Sequence, residues 1–366
     1  MSTETPVSTP EFLTMHELVK KARQNLNHND WDYIAGGTET ETTLKRNRHA
    51  LDSIAFRPRV LRDVSNIDAS TTFLGQKLRL PLLLAAVGGL EHFSKEGALP
   101  AARAAQEFGI LQMLSSVTEP GLEGVARGAP DALRCFQLYV HGDANWVDEI
   151  IARAIAHGYS SIALTVDSAY YSRRERDLAQ RNIRRHNVPG RENQARFTWR
   201  DIERIRGKCT VPLMLKGIDT AEDAKLAVEH GVDVVYVSNH GGRQLDHGLG
   251  AMAVLPEVVA AVGGKARIAI DGSFNRGTDI VKAIAMGADI VGIGRMQCIG
   301  LAAGGQAGLV RVLEILEQEM FSCMGLLGVT RLAELDGSYL TPGPVVTEPA
   351  AFSNFPLLSF EEDSFY

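Results

Sequence analysis

Cysteine is scarce in this 366-residue chain: four are present, Cys135, Cys209, Cys298 and Cys323, with no CxxC pair and no metal-ligand spacing. That scatter argues against a disulfide framework and a zinc module, and reads as reduced thiols in a cytoplasmic protein. The histidines form no HExxH or H-x3-H pattern either, so no metal site is expected. Neither charge sign dominates. With 38 Lys and Arg against 44 Asp and Glu, the net charge is -6, which gives no reason to expect nucleic acid or an anionic membrane as partner. Nowhere do about 18 apolar residues run uninterrupted, so no membrane anchor is expected. The opening MSTETPVSTP has neither a basic nor an apolar region, and the closing DSFY is not a peroxisomal address. No linker is long or polar enough to split the chain, which reads as one domain over residues 1–366.

What is present is a repeated grammar. ARAIAHGYSSIALTVD (152–167), AKLAVEHGVDVVYVS (224–238) and VKAIAMGADIVGIG (281–294) each join a helical apolar stripe, a glycine and a short β-rich run. Glycine after the last helical turn stops a helix in the left-handed conformation. A run apolar on both faces fits a parallel strand covered on both sides. Thr220 is the expected N-cap of the helix that follows it, with Asp223 three residues on. Extending the pattern gives eight strands, centred near Leu83, Leu111, Phe136, Ala163, Leu213, Val235, Ile268 and Val291. Most centres are about 20 to 35 residues apart, as in βα units, and the wider gap after Ala163 implies an inserted loop. The fold class is therefore α/β, a (β/α)8 TIM barrel over about residues 80–335. A doubly wound open sheet is the rival, weakened because no GxGxxG turn follows an early strand. Ahead of the barrel, MHELVKKARQNL and DWDYIA read as helices, the second ending at Gly36 and Gly37. Beyond about residue 335 a Pro- and Gly-rich tail is expected to pack on the barrel or on a neighbouring subunit.

Catalytic groups of such a barrel sit at the C-terminal ends of its strands. Here those ends carry Ser115 and Ser116, Gln137 and Tyr139, Thr165 and Asp167, Lys216, Ser238 to Arg243, Asp271, and Gly294 with Arg295. The sixth, VVYVSNHGGRQLD (234–246), is the most telling. Its histidine offers a base near neutral pH, its arginine a two-pronged grip on a carboxylate or phosphate, and its glycines a sharp turn bringing both to one mouth. Each position alone has a plain structural reading. Asp167 could cap a helix, Lys216 could be a solvated strand end, Tyr139 core, and Arg174 part of a solvated charge run. The loops DGSFNRGTD and GIGRM, after strands seven and eight, bring glycines, Arg276 and Arg295 to the usual phosphate end.

SNHGGRQLD, with FQLY (136–139), LTVD (164–167), LKG (215–217), RGTD (276–279) and GIGR (292–295), resembles the FMN-dependent α-hydroxy-acid oxidase and dehydrogenase family, which includes glycolate oxidase, lactate oxidase and mandelate dehydrogenase. The likeness runs from about residue 12 to 330 and implies FMN as cofactor and oxidation of an (S)-2-hydroxy acid to the 2-oxo acid. By resemblance, His240 removes the substrate proton and Asp167 orients it. Tyr139 bonds the reacting hydroxyl, and Lys216 lies by the flavin pyrimidine edge. Tyr33, Arg174 and Arg243 bind the substrate carboxylate. Ala86, Val87, Gly88, Ser115, Gln137, Thr165, Ser238, Asp271, Gly272, Ser273, Asn275, Gly294 and Arg295 hold the cofactor. The acceptor implied is oxygen, a quinone or a cytochrome, and the assembly a homo-oligomer, tetramer or octamer.

Three departures from the family pattern stand out. Val117 and Ile34 replace aromatic residues near the substrate, which implies an aryl or otherwise bulky acid rather than glycolate. The phosphate loop has Ser273 for a glycine and Asn275 for an arginine. The turn after the first strand reads AAVGG. The basic insert between Asp177 and Thr198 is either a lid over the acid-binding mouth or a solvated loop. The sequence leaves three other functions open: flavin-dependent oxidation of an amine or peptide-derived substrate, a Schiff-base aldolase using Lys216, and a non-catalytic flavin- or anion-binding barrel.

Overall fold

The computed structural model describes residues 11–181 and 190–360. Eight parallel strands close into a barrel in sequence order: β1 (Leu82–Leu84), β2 (Leu111–Ser115), β3 (Leu133–Leu138), β4 (Ser161–Thr165), β5 (Leu213–Ile218), β6 (Val234–Val237), β7 (Arg267–Ile270) and β8 (Ile290–Ile293). Closure comes from β8 pairing with β1 through Gly292 and Leu83. Every expected strand position falls inside one of these strands. The cause is visible in β4 and β8, where SIALT and IVGI are buried throughout. One face of each such strand fills the barrel lumen, where Leu83, Met113, Cys135, Met214 and Tyr236 form a compact inner core. The other face packs under the surrounding helices.

The helix-stop grammar also holds. Helices Ala144–Ala156 and Ala221–Glu229 end just before Gly158 and Gly231, whose φ values of 77° and 69° are left-handed. Thr220 caps the second of these, accepting from Asp223 N–H at 3.2 Å. The four cysteines are buried, and none forms a disulfide among the described residues. The last barrel helix, Arg295–Leu327, is long and apolar enough to cross a membrane by length and composition, yet it packs against Met15–Asn25 and Leu99–Phe108. Non-helical backbone at Gly304 and Gly305 kinks it.

The flanking segments brace one another. A capping box between Thr14 and Glu17 starts the first helix, Met15–Asn25. The next, His28–Ala35, stops before Gly36 as expected, carrying Tyr33 and Ile34 to the mouth of the barrel. Strand Ile54–Phe56, ahead of the barrel, pairs antiparallel with Leu340–Pro342 beyond it. The tail then returns over its own chain and buries Ala351 and Phe355. Of the basic insert expected as a lid, residues 182–189 lie outside the described residues. Its flanks form short helices, Glu175–Ala179 and Arg191–Arg196.

Candidate active site

The strand ends converge on one cavity of about 310 Å³, lined by residues from all parts of the rim, including Tyr139, Lys216, His240, Arg243, Asp271 and Gly294. That size lies at the lower end for small-molecule sites. Its centre is a left-handed turn at the end of β6: His240, Gly241 and Gly242 have φ of 59°, 65° and 76°. Only glycine fits at Gly242, where a Cβ would come within 2.4 Å of the Leu44 backbone nitrogen. The turn swings the His240 ring inward. Asp246, at the far end of the same motif, accepts from Thr40 N–H at 2.9 Å and Thr43 N–H at 2.9 Å, pinning the loop to the start of helix Thr42–Asp52.

His240 is gripped on both sides. Its Nδ1 is 3.1 Å from Asp167 Oδ1, and its Nε2 is 3.3 Å from the Tyr139 hydroxyl. A carboxylate on Nδ1 keeps the ring proton there and leaves the Nε2 lone pair facing the cavity. Burial pulls the His240 imidazole below its ordinary value, outweighing the upward push of Asp167. Burial pushes the Asp167 carboxyl up, but His240 and Lys216 together hold it below the usual carboxylate range. The pair is thus neutral base and charged partner, the combination proton abstraction requires.

Anion recognition gathers beside it. Arg243 lies 4.3 Å over the Tyr33 ring and donates through Nη1 to the carbonyls of Tyr33 and Gly36. Its Nη2 is buried without a hydrogen-bond partner, a donor facing an anion-sized need. Burial and the neighbouring Arg174 bring the Arg243 guanidinium down to about 10. Arg174 is buried over the Tyr171 ring at 4.6 Å. The Tyr33 hydroxyl lines the cavity but donates to the Gly88 carbonyl at 3.1 Å, so it reaches a carboxylate only by turning.

The opposite wall suits a flavin ring. Lys216 Nζ bonds Ser238 Oγ at 2.7 Å and pairs with Asp271 at 3.1 Å, while Ser238 donates to Asp271 Oδ1 at 2.6 Å. Both polar atoms of the Gln137 amide and the Thr165 hydroxyl are buried without partners. Ser115 is buried at the end of β2. Ala86, Val87 and Gly88 follow β1 as lining backbone, and a Cβ on Gly88 would press to 2.9 Å from Val117. Such unfilled amide and hydroxyl groups fit the donor and acceptor edge of an isoalloxazine.

At the phosphate end the arginines are partly engaged by protein groups. Arg295 lines the cavity, yet its guanidinium donates to the carbonyls of Ile34, Gly36 and Gly241 at 2.8, 3.1 and 3.0 Å. Arg276 pairs with Glu319 at 2.6 Å. Asn275 turns its amide to the tail, donating to the Ala351 carbonyl at 3.0 Å and to Asn354 at 3.2 Å. Beside Arg295, neutral donors stand there for a phosphate: the backbone at Gly272 and Ser273, the buried unpartnered Ser273 hydroxyl, and the first amides of the helix that begins after Gly294.

Several lining residues escaped the strand-end rule. Gln194 ties the helix Arg191–Arg196 to the barrel, accepting from Val140 N–H at 2.7 Å and donating to the Thr165 carbonyl at 2.8 Å. His141 stacks on Tyr139 with ring centres 6.2 Å apart. Arg191 and Tyr171 complete that side of the mouth. Outside the lining, Asp219 beyond β5 has a buried Oδ1 without a partner, and burial with the nearby Asp167 raises its carboxyl to about 6. All sit on loops or short helices, where no sequence period marks which residues face inward. No cluster of metal-ligating side chains occurs among the described residues.

The profile of the FMN-dependent dehydrogenase family matches residues 22–342. An L-lactate oxidase of Nostoc sp. is 38% identical over 364 residues, 92% of this chain and 99% of that protein. A peroxisomal (S)-2-hydroxy-acid oxidase of Oryza sativa subsp. japonica is 40% identical, covering 93% and 97%. The structure of mandelate oxidase with 3,3-difluoro-2-hydroxy-3-phenylpropionic acid superposes with a TM-score of 0.83 at 34% identity, covering 92% and 100%. Another mandelate oxidase structure, which holds an FMN adduct, gives 0.82 at 34%, covering 90% and 100%.

Proposed function

The chain belongs to the family of FMN-dependent dehydrogenases, and from that premise we propose that it oxidises an (S)-2-hydroxy acid larger than glycolate, with His240 as the base. Its cofactor is FMN and its activity is oxidation of a 2-hydroxy acid. The observation that carries the residue roles is the unfilled Arg243 Nη2 beside a His240 ring held between Asp167 and Tyr139.

Arg243 and Arg174 take the substrate carboxylate as a two-sided clamp. That places the carbon bearing the hydroxyl by His240 Nε2, within reach of the Tyr139 hydroxyl. FMN, when bound, supplies a ring that accepts the two electrons leaving that carbon. Lys216, Gln137 and Thr165 would hold its pyrimidine edge, and the Lys216 charge would favour negative charge there. Ser273, Arg295 and the amides after Gly294 would hold its phosphate. His240 takes the substrate proton, and Asp167 stabilises the imidazolium that results. Val117 and Ile34 line the mouth, and neither has the bulk of an aromatic ring, which supports a larger acid. The aromatic acid held by the related mandelate oxidase supports the same reading. The oxidase names of the relatives support oxygen as acceptor.

An aldolase is not favoured, because Lys216 is engaged by Asp271 and Ser238 rather than free to attack a carbonyl. An amine substrate would leave the Arg243 donor unanswered. The test is a screen of 2-hydroxy acids for anaerobic bleaching of the purified yellow protein, followed by reoxidation with oxygen and assay of peroxide. Bleaching by larger (S)-acids ahead of glycolate supports the reading; bleaching by none of them overturns it.

A further inference from the structure

The distal side of the mouth carries a cation that the oxidation itself does not use. Arg191 lines the cavity and lies 4.3 Å over the Tyr171 ring, the same ring that Arg174 covers at 4.6 Å. The two guanidinium groups are therefore separated by no more than the breadth of that arrangement. Burial draws the Arg191 guanidinium down, and Arg174 adds to the effect, as expected for neighbouring like charges.

The placement of Arg191 is built rather than incidental. Gly190 before it has a φ of 79°, and a Cβ there would come within 1.9 Å of the His141 carbonyl, so only glycine lets the chain press so close. Asn193 donates to the same carbonyl at 3.2 Å. One turn on, buried Gln194 bolts the helix to the ends of β3 and β4. Arg191 is thus held to the rim by contacts of three near neighbours, Gly190, Asn193 and Gln194. His141, stacked on Tyr139, extends the polar track from the reacting carbon toward it. Of the two carboxylates lining the cavity, Asp271 pairs with Lys216 at 3.1 Å and Glu91 accepts from the Thr118 hydroxyl at 3.1 Å.

We propose that Arg191 is a specificity-determining residue that reads a second anionic group, so that the preferred substrate is a 2-hydroxy acid with a distal carboxylate. This rests on the function proposed above. The α-carboxylate occupies Arg174 and Arg243, and a second carboxylate two to four carbons away, at ~1.5 Å per bond, spans from that clamp to Arg191. The interaction is partly solvated, so its expected contribution is about tenfold rather than the thousands of a fully buried pair.

The test compares kcat/KM for 2-hydroxyglutarate and 2-hydroxypentanoate, acids of equal chain length that differ in the distal carboxylate. The expected result is a preference of about tenfold or more for 2-hydroxyglutarate. Arg191→Gln should reduce that ratio about tenfold, mostly through KM, and Arg191→Lys should keep part of it. Raised ionic strength should lower the ratio as well. A wild-type ratio near one, or a ratio unmoved by Arg191→Gln, overturns the inference while leaving the oxidation of 2-hydroxy acids intact. A loss confined to aryl acids overturns it too, assigning Arg191 to ring stacking. Failure of every 2-hydroxy acid to bleach the flavin takes down both readings together.

Discussion

His240 and Asp167 form a part-buried pair, Nδ1 to Oδ1 at 3.1 Å, although 72 residues of chain separate them. The pairing fixes the imidazole tautomer and leaves Nε2 beside Tyr139. Replacing His240 by Gln should therefore cut the rate of flavin reduction by about 10²–10⁴-fold, with the flavin absorbance of the purified protein retained. Stopped-flow reduction under anaerobic conditions measures it; a variant reduced at the wild-type rate would refute the assignment.

The pH profile follows from the same pair. Burial lowers the His240 value below its ordinary 6.5, and the base works in its neutral form. Accordingly kcat/KM should rise with pH through an apparent value below 6.5 and then level off. Asp167→Asn removes the charge that raises His240, so this acid limb should shift to still lower pH while the plateau falls. A limb that moves upward in that variant would contradict the coupling.

Cofactor retention should depend on the tail. Asn275 is tied to Ala351 and Asn354, and Phe355 is buried beneath Arg276. Ending the chain before Ala350 leaves the Asn275 amide and the phosphate loop without this cover. The FMN dissociation constant, read from the fluorescence of released flavin, should rise severalfold. Unchanged affinity would show that the loop holds its shape alone.

Two substitutions in the β6 loop should cost stability. Gly242→Ala forces a side chain into the Leu44 backbone at positive φ, at a cost of about 2–4 kcal/mol. Asp246→Ala removes the carboxylate that accepts from Thr40 and Thr43, at a cost of about 1–2 kcal/mol. Burial opposes ionisation of Asp246, but those hydrogen bonds win and hold its carboxyl at about 2. Its contribution is present above the unfolded carboxylate value and is lost as pH falls toward 2. Denaturant melts of both variants at pH 7, and of wild type against Asp246→Ala at pH 3, measure these terms.

The sequence by itself determined the barrel. Runs such as SIALT and IVGI are apolar on both faces because each strand is covered inside and out, and glycine stops punctuate the helices between them. It also determined which residues meet at the rim, since His240, Asp167, Tyr139, Lys216 and Asp271 all follow strands that end on one side. Only the tertiary structure decided how those groups are used. Arg295 turns to three carbonyls and Asn275 to the tail because partners dozens to hundreds of residues away are brought beside them by the fold. Arg191 reaches the mouth because Gly190 and Gln194 dock its short helix on β3 and β4. Strand and helix periods report which face of an element is covered. They carry no record of where a long polar side chain finds its partner, because that is settled by through-space geometry after the barrel closes.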